Sequence, residues 1–186
     1  MIKKFIVLLF ISLALSSQVL ADNESMSPSP TSPPIPSPTP VVYILPYPGL
    51  LPGSPLYPLK AARDKIIDFF ITAPLKKANF YLLQSDKHLF AGVLLAKGGN
   101  FKIAEETISK GENYLEMSLA KIKKAKEGNE AVDDILLRLH LSTLKHEDVI
   151  KDLIEKFPQP VKSGLENDLK RAEQIKNSVN EFQHQK

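Results

Sequence analysis

Three polar residues on three predicted helices are of the types that carry acid–base or metal chemistry. Asp86, Glu112 and His146 lie on the second, third and fourth helical segments of the chain. Two carboxylates and an imidazole that converge in space can hold a divalent metal or move protons during hydrolysis. The sequence therefore allows an extracytoplasmic hydrolase or a metal-handling protein whose site lies in a cleft between helices.

No complete catalytic or metal motif supports that hypothesis. His146 and Glu147 begin the zinc motif H-E-x-x-H, but Ile150 stands where the second histidine belongs. The sequence contains neither a G-x-S-x-G serine nor a glycine-rich phosphate loop. A lone histidine on an apolar strip is usually a half-buried residue at the edge of a core. We therefore assign no catalytic, metal-binding or cofactor-binding residue and expect no cofactor.

Five helical segments must position these side chains. Apolar residues recur every three to four positions in each segment, and the predicted ranges are 58–71, 74–97, 100–127, 129–157 and 160–183. Asn100 and Asn129 are the expected N-caps of the third and fourth helices. Because the connections are short, the predicted fold is all-α, an antiparallel helical bundle of about five helices.

Small residues recur every seven positions along the second and third helices, alternating with large apolar ones. The central members of this stripe, here called the seam, are Ala78, Ser85, Gly92, Ala104, Gly111 and Ser118. A glycine inside a helix costs about 1 kcal/mol relative to alanine, so Gly92 and Gly111 need a packing reason. We expect the seam to join the two helices as a close antiparallel hairpin.

The N-terminal residues indicate export. Residues 1–21 combine a basic start, an apolar run and a small-residue end, which predicts a signal peptide cleaved between Ala21 and Asp22. The apolar run is shorter than the roughly 20 residues that a spanning helix needs, although an uncleaved signal would anchor the chain. Residues 22–44 form a predicted disordered linker rich in proline, serine and threonine. We expect a secreted or extracytoplasmic protein of the cell envelope.

The remaining chain divides at residue 157. Residues 45–157 form the predicted helical domain, which begins with an apolar proline-rich segment, and residues 158–186 form a C-terminal helix that packs on the bundle or extends it. We expect residues 50–59 to pack across the bundle and to set the first helix. Alternatively, residues 41–48 stay accessible as a proline and aromatic docking segment. The tyrosines that would contact a partner are Tyr43, Tyr47 and Tyr57.

The charge of the chain argues against a nucleic-acid partner. The sequence has 24 basic and 21 acidic residues, and removal of Lys3 and Lys4 with the signal leaves 22 basic residues and a net charge of +1. Electrostatic binding of nucleic acid needs a larger positive excess. Four lysines suit the C-terminal end of the third helix, and a weak contact with a membrane surface is an alternative role for them. They are Lys121, Lys123, Lys124 and Lys126.

Two stretches carry a family resemblance. LPYPGLLPGSPLYPLKAARDKI, at residues 45–66, and PLKKANFYLLQSDKHLFAGVLLAKGGNFKIAEETISKGENYL, at residues 74–115, resemble the bacterial domain-of-unknown-function family 5667 over about residues 43–120. The resemblance implies a signal peptide or membrane segment, a proline-rich stretch and a helical hairpin. Gly53 stands where the family's motif has an aspartate, so Ser54 is the expected cap of the first helix. The family brings no established activity, cofactor or catalytic residue.

The sequence favours an exported non-catalytic helical module. It would act as an interaction or scaffold domain that binds an unknown protein or another component of the cell envelope. The signal, the linker, the predicted bundle and the absence of a complete catalytic motif all point this way. The hydrolase or metal-handling hypothesis stays open and requires Asp86, Glu112 and His146 to meet in space.

Overall fold

A computed structural model describes residues 43–184 of the chain. The described part contains five α-helices, and their ranges are α1 (Tyr57–Phe70), α2 (Pro74–Lys97), α3 (Phe101–Glu127), α4 (Asp133–Lys156) and α5 (Gln159–His184). The predicted signal peptide, its cleavage site at Ala21 and Asp22, and the linker up to residue 42 lie outside the described residues.

Two antiparallel hairpins pack together and form the bundle. α2 pairs with α3, and α4 pairs with α5. α4 lies beside α2, and α5 lies beside α3, so that the parallel helices are also neighbours. Arg138 of α4 reaches Asn79 of α2 at 2.8 Å, and Lys176 of α5 reaches Glu147 of α4 at 2.6 Å. The prediction of an all-α helical bundle is confirmed.

The seam lies at the contact between α2 and α3. All six small residues are buried, and the Ser118 hydroxyl donates to the Ala78 carbonyl at 3.0 Å. A Cβ atom added at Gly111 would lie 3.2 Å from the Ser85 carbonyl oxygen, and one added at Gly92 would overlap the Ile108 side chain. The two backbones therefore approach more closely than larger side chains would permit.

Leucine, isoleucine and alanine side chains fill the bundle in two clusters. One surrounds Leu82, Leu115 and Leu139, and the other surrounds Leu89, Ile108 and Ile150. α5 contributes to both clusters, so the predicted C-terminal helix packs on the bundle. Polar residues occupy the level between these clusters.

α2 and α3 end at glycines, Gly98 and Gly128. α3 closes at Gly128, and the amide of Glu130 donates to the Ala125 carbonyl at 3.0 Å. Asn129 adopts a left-handed conformation with φ of 59°, which closes this turn. The prediction that Asn129 caps α4 is wrong, because α4 begins only after Val132. Asn100 does precede α3, but its side chain makes no capping hydrogen bond.

The proline-rich segment packs on the bundle only in part. Leu45 and Leu51 contact the second core cluster, and Pro48 is buried. Leu50, Leu56 and Leu59 are exposed, so the expectation that residues 50–59 pack across the bundle fails for most of their apolar side chains. Nor does Ser54 cap α1, which starts after Leu56 without a side-chain cap.

α1 lies outside the bundle core and has no buried residue. Amphipathic helices usually bury their apolar face, but the large apolar side chains of α1 turn outward. No helix among residues 43–184 is both long enough and apolar enough to cross a membrane.

Candidate functional site

Asp86, Glu112 and His146 meet inside the bundle, between the two hydrophobic clusters. The His146 Nδ1 atom lies 2.5 Å from Glu112 Oε1, and its Nε2 atom lies 3.4 Å from Asp86 Oδ1. Glu112 and His146 have no exposed surface, and Asp86 is 4% exposed. The convergence that the hydrolase or metal hypothesis required is therefore present, but it is enclosed. We call these three residues the buried cluster.

The seam places the two carboxylates. Asp86 follows Ser85, and Glu112 follows Gly111. Ser85 and Gly111 face each other across the seam, because a Cβ added at Gly111 would lie 3.2 Å from the Ser85 carbonyl oxygen. Successive residues on a helix point about 100° apart, so the residue after each seam position turns away from the hairpin contact. Both carboxylates turn toward His146 of α4.

Asp86 is also held by two hydroxyl groups. The Tyr43 hydroxyl donates to its Oδ2 atom at 2.6 Å, and the Ser142 hydroxyl donates to its Oδ1 atom at 2.6 Å. Burial, followed by the Asp86 charge, raises the pKa of Tyr43 above its usual value. The chain preceding α1 is therefore fastened to the bundle interior, and it includes Tyr43 and Ile44, which the sequence assigned to the linker.

The charges around His146 keep its imidazole protonated. Burial alone would lower the pKa of His146, but the Glu112 and Asp86 carboxylates outweigh burial and raise this pKa to about 9. The protonated ring donates through Nδ1 to Glu112. His146 is therefore a structural cation at neutral pH, and it is more deeply buried than the residue at the edge of a core that the sequence indicates.

A third carboxylate, that of Asp168 on α5, lies beside the buried cluster. Asp168 is 2% exposed, and burial, followed by the Glu112 charge, raises its pKa to about 7. Arg171 lies 3.5 Å from Asp168 Oδ1 and 3.0 Å from Glu116 Oε1. Glu112 Oε2 and Asp168 Oδ2 have no hydrogen-bond partner among residues 43–184.

The buried cluster is closed to a substrate. A general acid or base must come within hydrogen-bond reach of the group that it serves, and the His146 ring already faces Glu112, Asp86 and Ser85. Within the described part of the chain, no group of three or more histidine or acidic side chains is arranged to hold a metal ion. The arrangement can instead fix which faces of the helices meet, since a buried ionic group tolerates few alternative packings.

An open cleft of about 500 Å³ lies between α1 and the α2–α3 hairpin. Asp64 and Asp68 of α1 line it, together with His88 of α2 and Tyr114 of α3. Lys77 pairs with Asp68 at 3.3 Å. α1 thus faces the bundle with its polar side.

The outer side of α1 is apolar. Leu59 is 70% exposed, Ile66 59%, Phe69 78% and Phe70 74%. We call these four residues the α1 stripe. The helical spacing of these residues is visible in the sequence, but periodicity alone does not show which way a face turns. Asp64 and Asp68, four residues apart on the opposite side, are a signal in the sequence that could have revealed this orientation.

The three tyrosines named as docking residues occupy different environments. Tyr43 is engaged with Asp86, and Tyr57 lines the cleft beside α1. Tyr47 is 72% exposed and contacts Phe90 edge to face at 6.5 Å between ring centroids. Of the three rings, that of Tyr47 offers the largest surface to a partner.

Comparison with protein families identifies the chain. The family model described as Domain of unknown function (DUF5667) matches residues 49–185. The chain belongs to this family. The match extends the resemblance seen in the sequence, because it covers α4 and α5 as well as the hairpin. No curated protein and no solved structure matches the chain.

Proposed function

We propose that this DUF5667 protein is an exported, non-catalytic helical module that binds another component of the cell envelope. Residues 1–21 serve as the signal peptide in this proposal, and the linker up to residue 42 acts as a spacer. A proline-rich spacer extends about 3.1 Å per residue, so the sixteen residues 25–40 reach roughly 50 Å. The domain is then secreted, or tethered to the membrane by this spacer if the signal is not cleaved.

The observation that carries the proposal is the outward α1 stripe. Apolar surface removed from water on contact with a partner contributes about 25 cal/mol per Å² before the costs of association are subtracted. Contiguous exposed apolar patches on a folded protein mark sites of interaction. In this chain the patch lies on a single helix, whose opposite side already contacts the bundle through polar groups.

The enclosed buried cluster supports a non-catalytic role. The His146 cation is paired with both carboxylates, and Asp86 also accepts from two hydroxyl groups, which suits a stabilising function. The cleft of about 500 Å³ between α1 and the hairpin has acidic, basic and aromatic walls without a nucleophile paired to a base.

Export is tested by fusing alkaline phosphatase, which is active only outside the cytoplasm, after residue 186. We expect activity from the full chain and none after deletion of residues 1–21. Activity that survives this deletion, or that is absent from both fusions, would refute export.

Interaction through α1 is tested with a photo-crosslinking amino acid placed at Phe69 in cells. The matched control is Leu137 on α4, which is 54% exposed. We expect adducts from position 69 and none from position 137. Equal yields at both positions would show that the α1 stripe has no special role.

The second candidate function is the hydrolase or metal-handling protein, and the convergence of Asp86, Glu112 and His146 favours it. This function requires the bundle to open. Equilibrium dialysis against Zn²⁺ separates the candidates: the interaction module retains no stoichiometric zinc. Retention of one zinc ion that is lost in Glu112→Gln would favour the metal-handling function.

A further inference from the structure

We infer that the α1 stripe and the basic groove beside it bind the surface of an anionic lipid bilayer, with α1 lying in the interface. This inference rests on the proposed function, since it names the envelope component that the module binds. The alternative occupants, a second copy of the chain and an apolar protein partner, become outcomes of the test.

The α1 stripe has the pattern of an interfacial helix. Leu59, Ile66 and Phe70 are spaced by seven and four residues, so they align along one side, and Phe69 broadens that side. All four side chains are at least 59% exposed. A helix of this kind places its apolar face at the boundary between lipid headgroups and acyl chains.

The acidic and basic side chains of α1 lie on different sides of the helix. Asp64 and Asp68 face the cleft toward the bundle, where Lys77 pairs with Asp68. Lys60 and Arg63 lie on the other flank, beside the stripe. Arg63 also contacts Asp64 at 2.7 Å, yet its side chain remains 62% exposed and available to a second anion.

A groove of about 560 Å³ joins the stripe to the proline-rich segment. Leu50, Leu56 and Leu59 supply its apolar wall, and Lys60, Arg63 and Lys87 supply its polar wall. No carboxylate is among the described residues that line it. Such a groove matches an amphiphile that carries negative charge, with a phosphate near the cations and acyl carbon near the leucines.

The same charges select a bilayer over a second copy of the chain. Two copies joined through their α1 stripes would bring two sets of cations together, and like charges that face each other oppose association. A bilayer with anionic lipids supplies both an apolar layer and negative charge. Anionic headgroups therefore match the stripe and the groove together.

The absence of tryptophan makes a local test simple. Phe69→Trp gives the full-length chain one indole in the stripe, and Leu137→Trp gives a matched control on α4. Phosphatidylcholine vesicles with and without phosphatidylglycerol are added, and brominated acyl chains serve as quenchers. We expect a blue shift and quenching at position 69 only, stronger with phosphatidylglycerol and weaker as salt is raised.

The local readout separates α1 from the N-terminal apolar residues. If only residues 5–15 entered the bilayer, vesicles would sediment with the protein while the indole at position 69 stayed unshifted, which would overturn the inference. A shift that depends on protein concentration and not on lipid would overturn it in favour of a second copy. Thermal unfolding of both tryptophan variants shows that each is folded.

Charge substitutions test the groove. Lys60→Gln and Lys87→Gln should each weaken partitioning onto phosphatidylglycerol vesicles about fivefold. Lys123→Gln and Lys124→Gln, at the lysine-rich end of α3, are the controls and should leave partitioning unchanged. The reverse pattern would place membrane contact at the end of α3 and overturn the inference.

Failure of this inference is distinguishable from failure of the proposed function. A chain that passes the export test and forms protein adducts from position 69, but does not shift with vesicles, remains an interaction module with a protein partner. A chain that fails the export test refutes the proposed function whatever the vesicles show.

Discussion

His146 Nδ1 and Glu112 Oε1 lie 2.5 Å apart in the interior of the bundle, although they belong to α4 and α3, which are not paired in either hairpin. This ion pair connects the two hairpins across their shared core. Because neither residue has exposed surface, removal of one charge leaves the other without compensation.

Glu112→Gln should destabilise the protein by about 3 kcal/mol, because it leaves the buried imidazolium without its closest counter-charge. Urea unfolding measures the change. The matched control is Glu116→Gln, one turn further along α3, where the carboxylate is half-exposed and pairs with Arg171; about 0.5 kcal/mol is expected there. Equal losses from the two substitutions would contradict the assignment of Glu112 to an essential buried pair.

The stability of the protein should fall as pH rises from neutral to alkaline values. The pKa of His146 is raised to about 9 in the folded protein from about 6.5 in the unfolded chain. A raised pKa favours the protonated folded state, so its contribution is complete below about pH 6.5 and is lost as pH rises through about 9. The loss is about 3 kcal/mol. Stability that increased over this range would contradict the prediction.

Asp168 should add a separate loss at lower pH. Its pKa is raised to about 7 in the folded protein from about 3.9 in the unfolded chain. The folded state therefore favours the neutral acid, and stability decreases between about pH 4 and pH 7. Asp168→Asn should remove this decrease in urea unfolding curves and leave the alkaline decrease from His146 in place. A variant that retained the decrease below pH 7 would assign it to another group.

Gly92→Ala should destabilise the bundle, whereas Gly164→Ala should not. A Cβ at Gly92 overlaps the fully buried Ile108 side chain, and overpacking costs about 1–3 kcal/mol. A Cβ at Gly164 overlaps the Cγ, Cδ and Oε1 atoms of Glu105, a flexible and partly exposed side chain that can rotate away, and alanine gains about 1 kcal/mol in helix propensity. Thermal unfolding of both variants checks the difference.

Gly111→Leu, which inserts a larger side chain into the seam, should lower the melting temperature further, and an unchanged melting temperature would refute the seam.

Tyr43→Phe should destabilise the protein by about 1–2 kcal/mol, because it removes the hydrogen bond to the Asp86 carboxylate. It should also raise the rate at which a protease cleaves near residue 45. Tyr47→Phe is the control, since the Tyr47 ring is 72% exposed, and a change within about 0.5 kcal/mol is expected. If both variants resisted cleavage by the protease near residue 45 to a similar extent, Tyr43 would not fasten the proline-rich segment.

Local signals in the sequence predict the helices well where the ends are marked by proline and glycine. α2 spans Pro74–Lys97 as expected, because Pro74 suits a first turn and Gly98 follows the last. The start of α4 was placed too early, since asparagine suits both an N-cap and a left-handed turn residue. Only the backbone of Asn129 distinguishes the two.

The position of α1 could not be predicted from its periodicity. The spacing of Leu59, Ile66 and Phe70 indicates one apolar side, and the usual expectation is that such a side is buried. The outward orientation of this face depends on the ion pair between Asp68 and Lys77 and on the contacts that Tyr57 makes in the cleft. Such contacts join residues on different elements, and the spacing of the apolar residues alone does not report them.

Residue types in the sequence were enough to propose the buried cluster, but they did not predict that it is enclosed. The positions of Asp86, Glu112 and His146 on three helices allowed them to meet. Whether they line a cleft or a closed interior depends on Tyr43 and Ser142, which cover Asp86 from a preceding loop and from α4. The family match likewise extends through α5, although the motif visible in the sequence lies in the first half of the domain.

The hydrogen bond from Tyr43 to Asp86 has a mechanical consequence. Tension applied to the chain from its N-terminal side would reach the domain at this bond, near the middle of the bundle, before it reached any helix end. The load would pass from Asp86 to the imidazolium of His146 and would be shared by both hairpins.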